Sequence, residues 1–103
     1  MIVEYIRYQL AASTPEAFLQ GYEAACAELR AAPQCQGYEL TQCDEDAKAF
    51  VLRILWESAE AHMQGFRKGP HFPPFFAAIR PFVNEIAEMR HYSLTPLAWT
   101  RAA

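Results

Sequence analysis

The sequence offers no cysteine pair at a bridging or metal-type spacing. Cys26, Cys35 and Cys43 form an odd set without a CxxC. That excludes a disulfide framework and a thiolate zinc site, and points to a reducing compartment where thiols stay free. Basic charge is scarce too: nine Lys and Arg stand against twelve Asp and Glu, for a net charge of −3 with no basic block. A nucleic-acid surface needs clustered cations to neutralise phosphates, so that partner is excluded. No apolar run approaches the ~18 residues of a membrane helix. The opening Met1-Ile2-Val3-Glu4-Tyr5 reaches a carboxylate too soon for a secretory leader. A cytoplasmic protein without a membrane partner is expected. Repeats and low-complexity tracts are also missing.

What is present is apolar and aromatic. The chain has 103 residues, 52% hydrophobic, with two Trp, five Tyr and seven Phe. This length supports one core and one domain. A small domain buries a smaller share of its surface than a large one, so self-association that hides more is expected. The aromatic content implies a dense core or a ligand cavity.

Along the chain, Ile2 to Leu10 has strand composition with a period of two. Ile2, Glu4, Ile6, Tyr8 and Leu10 share one face, and Val3, Tyr5, Arg7 and Gln9 the other. Ser13-Thr14-Pro15-Glu16 reads as a helix start, with a hydroxyl cap and a proline that lacks the amide needing one. Phe18, Tyr22, Ala25 and Leu29 then recur at helical spacing, predicting a helix over 15–32 that exits through Pro33 and Gly37. Tyr38 to Cys43 reads as a second strand, Asp44-Glu45-Asp46 as a turn, and Ala49 to Trp56 as a third strand. A helix capped by Ser58 carries Ala59, His62, Met63 and Phe66 on one side and stops at Lys68-Gly69-Pro70. Pro73-Pro74 opens a short segment interrupted at Pro81, and Glu85 to Leu94 alternates as a last strand.

The order β-α-β-β-α-β is the split βαβ arrangement, an antiparallel four-stranded sheet with helices on one face. Residues 1–95 form the domain and 96–103 a short tail. The third strand, Phe50-Val51-Leu52-Arg53-Ile54-Leu55-Trp56, is apolar on both faces. Helices cover only one face of such a sheet, so the open face is expected to meet the same face of a second copy. Arg53, the one charge in that strand, needs a carboxylate such as Glu39 or a place in the interface.

Candidate chemistry gathers where Leu55-Trp56-Glu57-Ser58-Ala59-Glu60-Ala61-His62 leads into Gly69-Pro70-His71-Phe72. A neutral imidazole at His62 can take a phenolic proton or donate a hydrogen bond; alternatively it anchors its helix to a backbone carbonyl. His71 sits in a loop where it either positions a substrate or orders the turn. His91, beside Met89 in the last strand, reads as structural or interfacial. His62 and His71 are nine residues apart with no clear acidic third partner, which matches no common ligand spacing, so no metal is expected. Tyr8, Trp56 and Phe66 line a pocket or simply fill the core. No base stands beside any cysteine, so these read as small hydrophobes.

The strand order, the Leu55-Trp56-Glu57-Ser58 junction, His62 and Pro70-His71-Phe72 together resemble the antibiotic biosynthesis monooxygenase (ABM) family over roughly residues 1–95. The resemblance implies a ferredoxin-like α+β fold that dimerises sheet to sheet into an α+β barrel, each protomer keeping a pocket between sheet and helices. Many members resemble cofactor-independent oxygenases of quinols and phenols, while others degrade haem. The haem-degrading set corresponds here to Ile6, Phe66 and Phe76, all three different, which disfavours that chemistry. The expected function is therefore a homodimeric monooxygenase of a small aromatic or quinol-type molecule, using no cofactor. His62 is its catalytic group, and Tyr8, Trp56, Phe66 and His71 are its substrate contacts. The rival is a non-catalytic binding or accessory module that keeps the fold and pocket alone.

Overall fold

A computed structural model describes residues 1–102; of the expected tail, residue 103 lies outside the described residues. Four strands, β1 (Ile2–Gln9), β2 (Cys35–Gln42), β3 (Ala49–Trp56) and β4 (Ile86–Ser93), form one sheet in the order β2-β3-β1-β4. Every neighbouring pair is antiparallel. Helix α1 (Pro15–Ala31) links β1 to β2. A π-helical segment (Ala61–Phe66), helix α2 (Phe72–Ile79) and a 3₁₀ segment (Arg80–Glu85) link β3 to β4. This is the expected ferredoxin-like arrangement with helices on one sheet face.

The helix starts follow local chemistry. The Thr14 hydroxyl accepts the Ala17 amide at 3.2 Å, and Pro15 supplies a first-turn position that needs no donor. Ser58 does the same for the Ala61 amide at 2.9 Å. The turn that follows is wider than an α-turn: the Arg67 amide donates to the His62 carbonyl, five residues back, at 3.0 Å. At Gly69 a Cβ would sit 2.4 Å from the Gly65 carbonyl oxygen, so a residue without one is required to end this segment.

Two strands depart from the sequence expectation. β2 begins at Cys35 and bulges at Gln36, with Gly37 opposite Leu55, so Gly37 lies inside the strand and is not the exit of α1. β4 carries a second bulge: Arg7 pairs with Glu88 but Tyr8 pairs with Ile86, leaving Ala87 unmatched. Simple alternation puts Ile86 on the face of Glu88; the bulge moves it to the face of Met89 and His91.

The core lies between the sheet and α1 and α2. Phe18, Tyr22, Ala25 and Leu29 of α1 meet Ile6, Tyr8, Phe50 and Leu52 of the sheet. Burying one such aromatic side chain stabilises the fold by about 2–3 kcal/mol. Glu85 clamps the loop before α1 to the end of the 3₁₀ segment. Its Oε1 accepts the amides of Ala11, Ala12 and Ser13 at 2.7, 3.0 and 3.1 Å, and its Oε2 accepts the Ser13 hydroxyl. The Ser13 hydroxyl first, and then these amides, hold the Glu85 carboxyl down to about 2.

The opposite sheet face carries Val3, Tyr5 and Arg7 of β1, Val51, Arg53 and Leu55 of β3, and Glu88, Arg90 and Tyr92 of β4. Arg53 stands directly across from Glu39 in register, yet no described carboxylate lies within 4.0 Å of its guanidinium. Among the described residues no helix is long and apolar enough to cross a membrane.

Candidate functional site

The antiparallel register builds the site. Glu4, in the middle of β1, is the direct partner of Ile54 on β3 and His91 on β4. Its side chain therefore points to the helical face, into a layer otherwise made of Ile2, Ile6 and Tyr8. It is only 3% exposed. A carboxylate there is costly unless hydrogen-bonded, and one group meets that need, with two imidazoles close by. Trp56 Nε1 donates to Oε1 at 3.0 Å. His62 Nε2 stands 3.6 Å from Oε1, and His91 Nε2 stands 3.3 Å from Oε2. The two imidazoles also touch, His91 Nε2 to His62 Nδ1 at 3.1 Å. His62 lies flat on Trp56, with ring centroids 4.5 Å apart and planes 14° apart.

This polar cluster forms one wall of a cavity of about 120 Å³. The rest is apolar, chiefly Ile6, Phe66, Phe72, Phe75, Phe76 and Ile79, with Val83, Ile86 and Met89 completing it and Arg67 contributing a cation. His91 and Met89 are exposed on the edge strand and give access from solvent. A dry cavity of about 150 Å³ holds a benzene ring, so this space suits a single aromatic ring.

Burial sets the protonation pattern. Desolvation pushes the Glu4 carboxyl above its usual range, against the Trp56 hydrogen bond and the charges of His91 and Arg67, which pull it down. Desolvation, then His91 and Arg67, brings His62 down to about 4. The neutral imidazole expected at His62 is present, but it is a poor lone base. A phenol of pKa ~10 would yield its proton to such a group across ~6 pH units, on the order of 8 kcal/mol uphill. Burial raises the proton affinity of the carboxylate beside it, which makes Glu4 a second candidate acceptor.

Of the five residues the sequence nominated, the fold brings three together: Trp56, His62 and Phe66. Tyr8 is placed elsewhere. It is 2% exposed in the core, its hydroxyl is hydrogen-bonded to that of Tyr22, and its ring packs edge-on against Phe18. Burial first, with the Glu4 charge adding to it, holds Tyr8 up at about 12, against the Tyr22 hydrogen bond, which pulls it down. His71 also leaves the site, facing α1, where its Nδ1 meets Glu28 at 3.2 Å. The loop reaches that helix because His71 immediately precedes α2, which packs on α1.

Glu4 and His91 are the residues the sequence reading missed. Spacing along the chain paired His62 with His71 and found no acidic partner, whereas strand register supplies both. One signal was available: Glu4 is the single charge on an otherwise apolar face of β1. Ile6, Phe66 and Phe76 also line the cavity.

Residues 1–78 match the sequence profile of the family described as Antibiotic biosynthesis monooxygenase. The chain belongs to that family. Solved structures agree in fold. SnoaB, a cofactor-independent oxygenase from Streptomyces nogalater, superposes with a TM-score of 0.76 at 16% identity, over 91% of this chain and 92% of its own. A Bordetella bronchiseptica structure gives 0.73 at 22% identity, covering 91% and 96% of the two chains. A curated sequence relative, the uncharacterised YczJ of Bacillus subtilis (strain 168), is 26% identical over 55 residues, 53% of this chain. The match spans 58% of that relative's length. At such identities the shared feature is the ABM fold.

Proposed function

We propose that this ABM protein is a cofactor-independent oxygenase of a single-ring phenol or hydroquinone, with Glu4 as the proton acceptor and His62 and His91 as the groups that orient the reacting oxygen. The observation that carries the reading is a buried carboxylate, fixed by Trp56, forming the polar wall of an otherwise apolar one-ring cavity. The ring packs among Phe66, Phe75 and Ile79, and its hydroxyl meets the cluster.

Loss of the phenolic proton to Glu4 gives a phenolate, stabilised by the Arg67 cation at the cavity wall. The phenolate passes one electron to O2. Superoxide and the aryloxyl radical then combine at a hydrogen-bearing ring carbon, para to the oxygen in a phenol and ortho to it in a hydroquinone, forming a C–O bond. The peroxide takes up a proton, and cleavage of its O–O bond with loss of the C–H proton at that carbon releases water. The sum is phenol plus O2 giving quinone plus water. Excluding bulk water from the cavity keeps the anion reactive and raises the effect of each nearby dipole.

The reading extends to a homodimer through the open sheet face, supported by the half-buried stripe of Tyr5, Val51 and Leu55 and by the unpaired Arg53 among them. Sedimentation of a monomer at micromolar concentration would remove that part.

Oxygen uptake with para-unsubstituted phenols and hydroquinones tests the chemistry. Glu4→Gln keeps an acceptor for Trp56 but cannot take the proton, and turnover is expected to fall by about 10²–10⁴. Equal rates in wild type and Glu4→Gln, or no turnover at all, would sink the catalytic claim. One observation favours the rival binding module: His62 is 6% exposed, hydrogen-bonded at Nδ1 to His91 and faced at Nε2 by Glu4 at 3.6 Å. Saturable binding of a phenol without O2 uptake would decide for it.

A further inference from the structure

We propose that Glu4, His62 and His91 form a binding site for one divalent transition-metal ion, held by two imidazole nitrogens and one carboxylate oxygen. The ligand-capable atoms of these three residues lie within 4.8 Å of one another. Two of their separations are shorter: 3.3 Å from Glu4 Oε2 to His91 Nε2, and 3.1 Å from His91 Nε2 to His62 Nδ1. Ligands about 2.1 Å from a common ion stand about 3.0 Å apart at right angles and about 3.4 Å apart at tetrahedral ones, by the same bond length. Two of the three separations thus already have the size an ion requires, and the third closes with a small side-chain movement.

The surroundings suit such a site. Trp56 Nε1 binds Glu4 Oε1 and leaves Oε2 turned toward His91, the outer hydrogen bond that fixes a ligating carboxylate. Trp56 also fixes the plane of His62 by stacking. Two histidines and one carboxylate on one side of an ion leave further positions open toward the cavity, the pattern of Zn2+, Co2+ and Fe2+ sites. The set carries one negative charge and no thiolate, which favours these ions over Cu+ and over Mg2+ or Ca2+. Arg67 lines the same cavity and is the one cation that opposes the ion.

This site does not rest on the oxygenase reading, because the three ligands converge whatever the chain turns over. It does bear on it. An ion bound to Glu4 occupies the proposed proton acceptor, so metal and phenol turnover exclude each other.

The test uses untagged protein stripped with a chelator and titrated with CoCl2, without substrate. Expected are visible ligand-field bands that saturate at one equivalent per chain. Glu4→Gln and His91→Ala should each weaken binding by at least 100-fold. Trp56→Phe, which removes only the outer hydrogen bond, should weaken it by about tenfold. Arg67→Gln should tighten it, and His71→Ala should leave it unchanged. Zn2+ added to unaltered protein provides a check that needs no variant. The imidazole NMR signals of His62 and His91 should shift together as Zn2+ is added, while those of His71 do not. No saturable band at millimolar Co2+, binding indifferent to both Glu4→Gln and His91→Ala, or a Zn2+ response confined to His71 would overturn the proposal. Oxygen uptake measured in chelator is a separate readout, so the failure of either claim leaves the other standing.

Discussion

Two polar centres are buried on the same face of β1, four residues apart, and they behave in opposite ways. At Tyr8 the hydroxyl is paired with that of Tyr22, and Phe18, Phe50 and Phe82 close around the pair. At Glu4 the carboxylate is also satisfied, but its partners border a cavity. Neither centre leaves a buried polar side-chain atom without a partner among the described residues. The difference is in the neighbouring space and in what the groups can still do. A phenol raised to about 12 and held against another phenol keeps its proton at any ordinary pH. A carboxylate among imidazoles can exchange a proton or an ion with whatever enters.

The comparison breaks most decisively at Glu4 and Tyr22. Glu4→Gln should cut phenol-dependent O2 uptake by about 10²–10⁴ while leaving the fold intact. A circular-dichroism melt unchanged within a few degrees checks the second half. Loss of folding instead would make Glu4 a structural residue like Tyr8. Filling the cavity comes next: Val83→Phe should reduce phenol affinity by about tenfold or more through lost volume, read by calorimetry, with the Glu4 cluster retained. Unaltered affinity would mean that the ring binds elsewhere. Tyr22→Phe should do the reverse of Glu4→Gln. It leaves the Tyr8 hydroxyl buried without its partner, at a cost of about 1–3 kcal/mol in denaturant unfolding, with O2 uptake unaffected. A loss of activity there would erase the distinction between the two centres.

The smallest effect concerns Glu85, whose clamp lies beside the Tyr8 end. Its carboxyl is lower in the folded chain, about 2, than its ordinary value of 4.5. The folded state therefore binds fewer protons between those values. Its contribution is fully present above about pH 4.5 and disappears as pH falls through about 2. Glu85→Gln should cost about 1 kcal/mol at pH 7, with the gap to wild type closing as the solution is acidified. A gap that does not change with pH would show that packing, and not the charge, makes the clamp.

The sequence made the fold legible because its signals were local and agreed with one another. Thr14-Pro15, the period of β1, the Ser58 cap and the apolar run of β3 each name an element and its ends. The site was only half legible. Trp56, His62 and Phe66 follow each other within one connection, so their convergence could be read along the chain. Glu4 and His91 meet them through strand pairing across 87 residues of sequence, which no spacing rule sees. Tyr8 shared the right face but sat two pairs too far along it. His71 was close in sequence, yet α2 turned it toward Glu28. Arg53 was expected to meet a carboxylate such as Glu39 or to lie in an interface; it stands opposite Glu39 in register without an ion pair to a described carboxylate.

The unmatched Ala87 in β4 has a consequence for how this chain tolerates change. It works as a phase shifter. Upstream of it lie Ile86 and the Glu85 clamp; downstream lie Met89 and His91. Ile86, Met89 and His91 all face the helical side only because one residue is counted out between them. Deleting Ala87 would leave a regular ladder, with Ile86 still opposite Tyr8 and Glu88 opposite Arg7, so all three side chains would keep their facing. Drawn into the ladder opposite Tyr8, Ala87 would instead take the inward position of Ile86 and turn that residue outward. A single exposed alanine is thus an extra residue that the register absorbs, and the segment tolerates its loss better than its straightening.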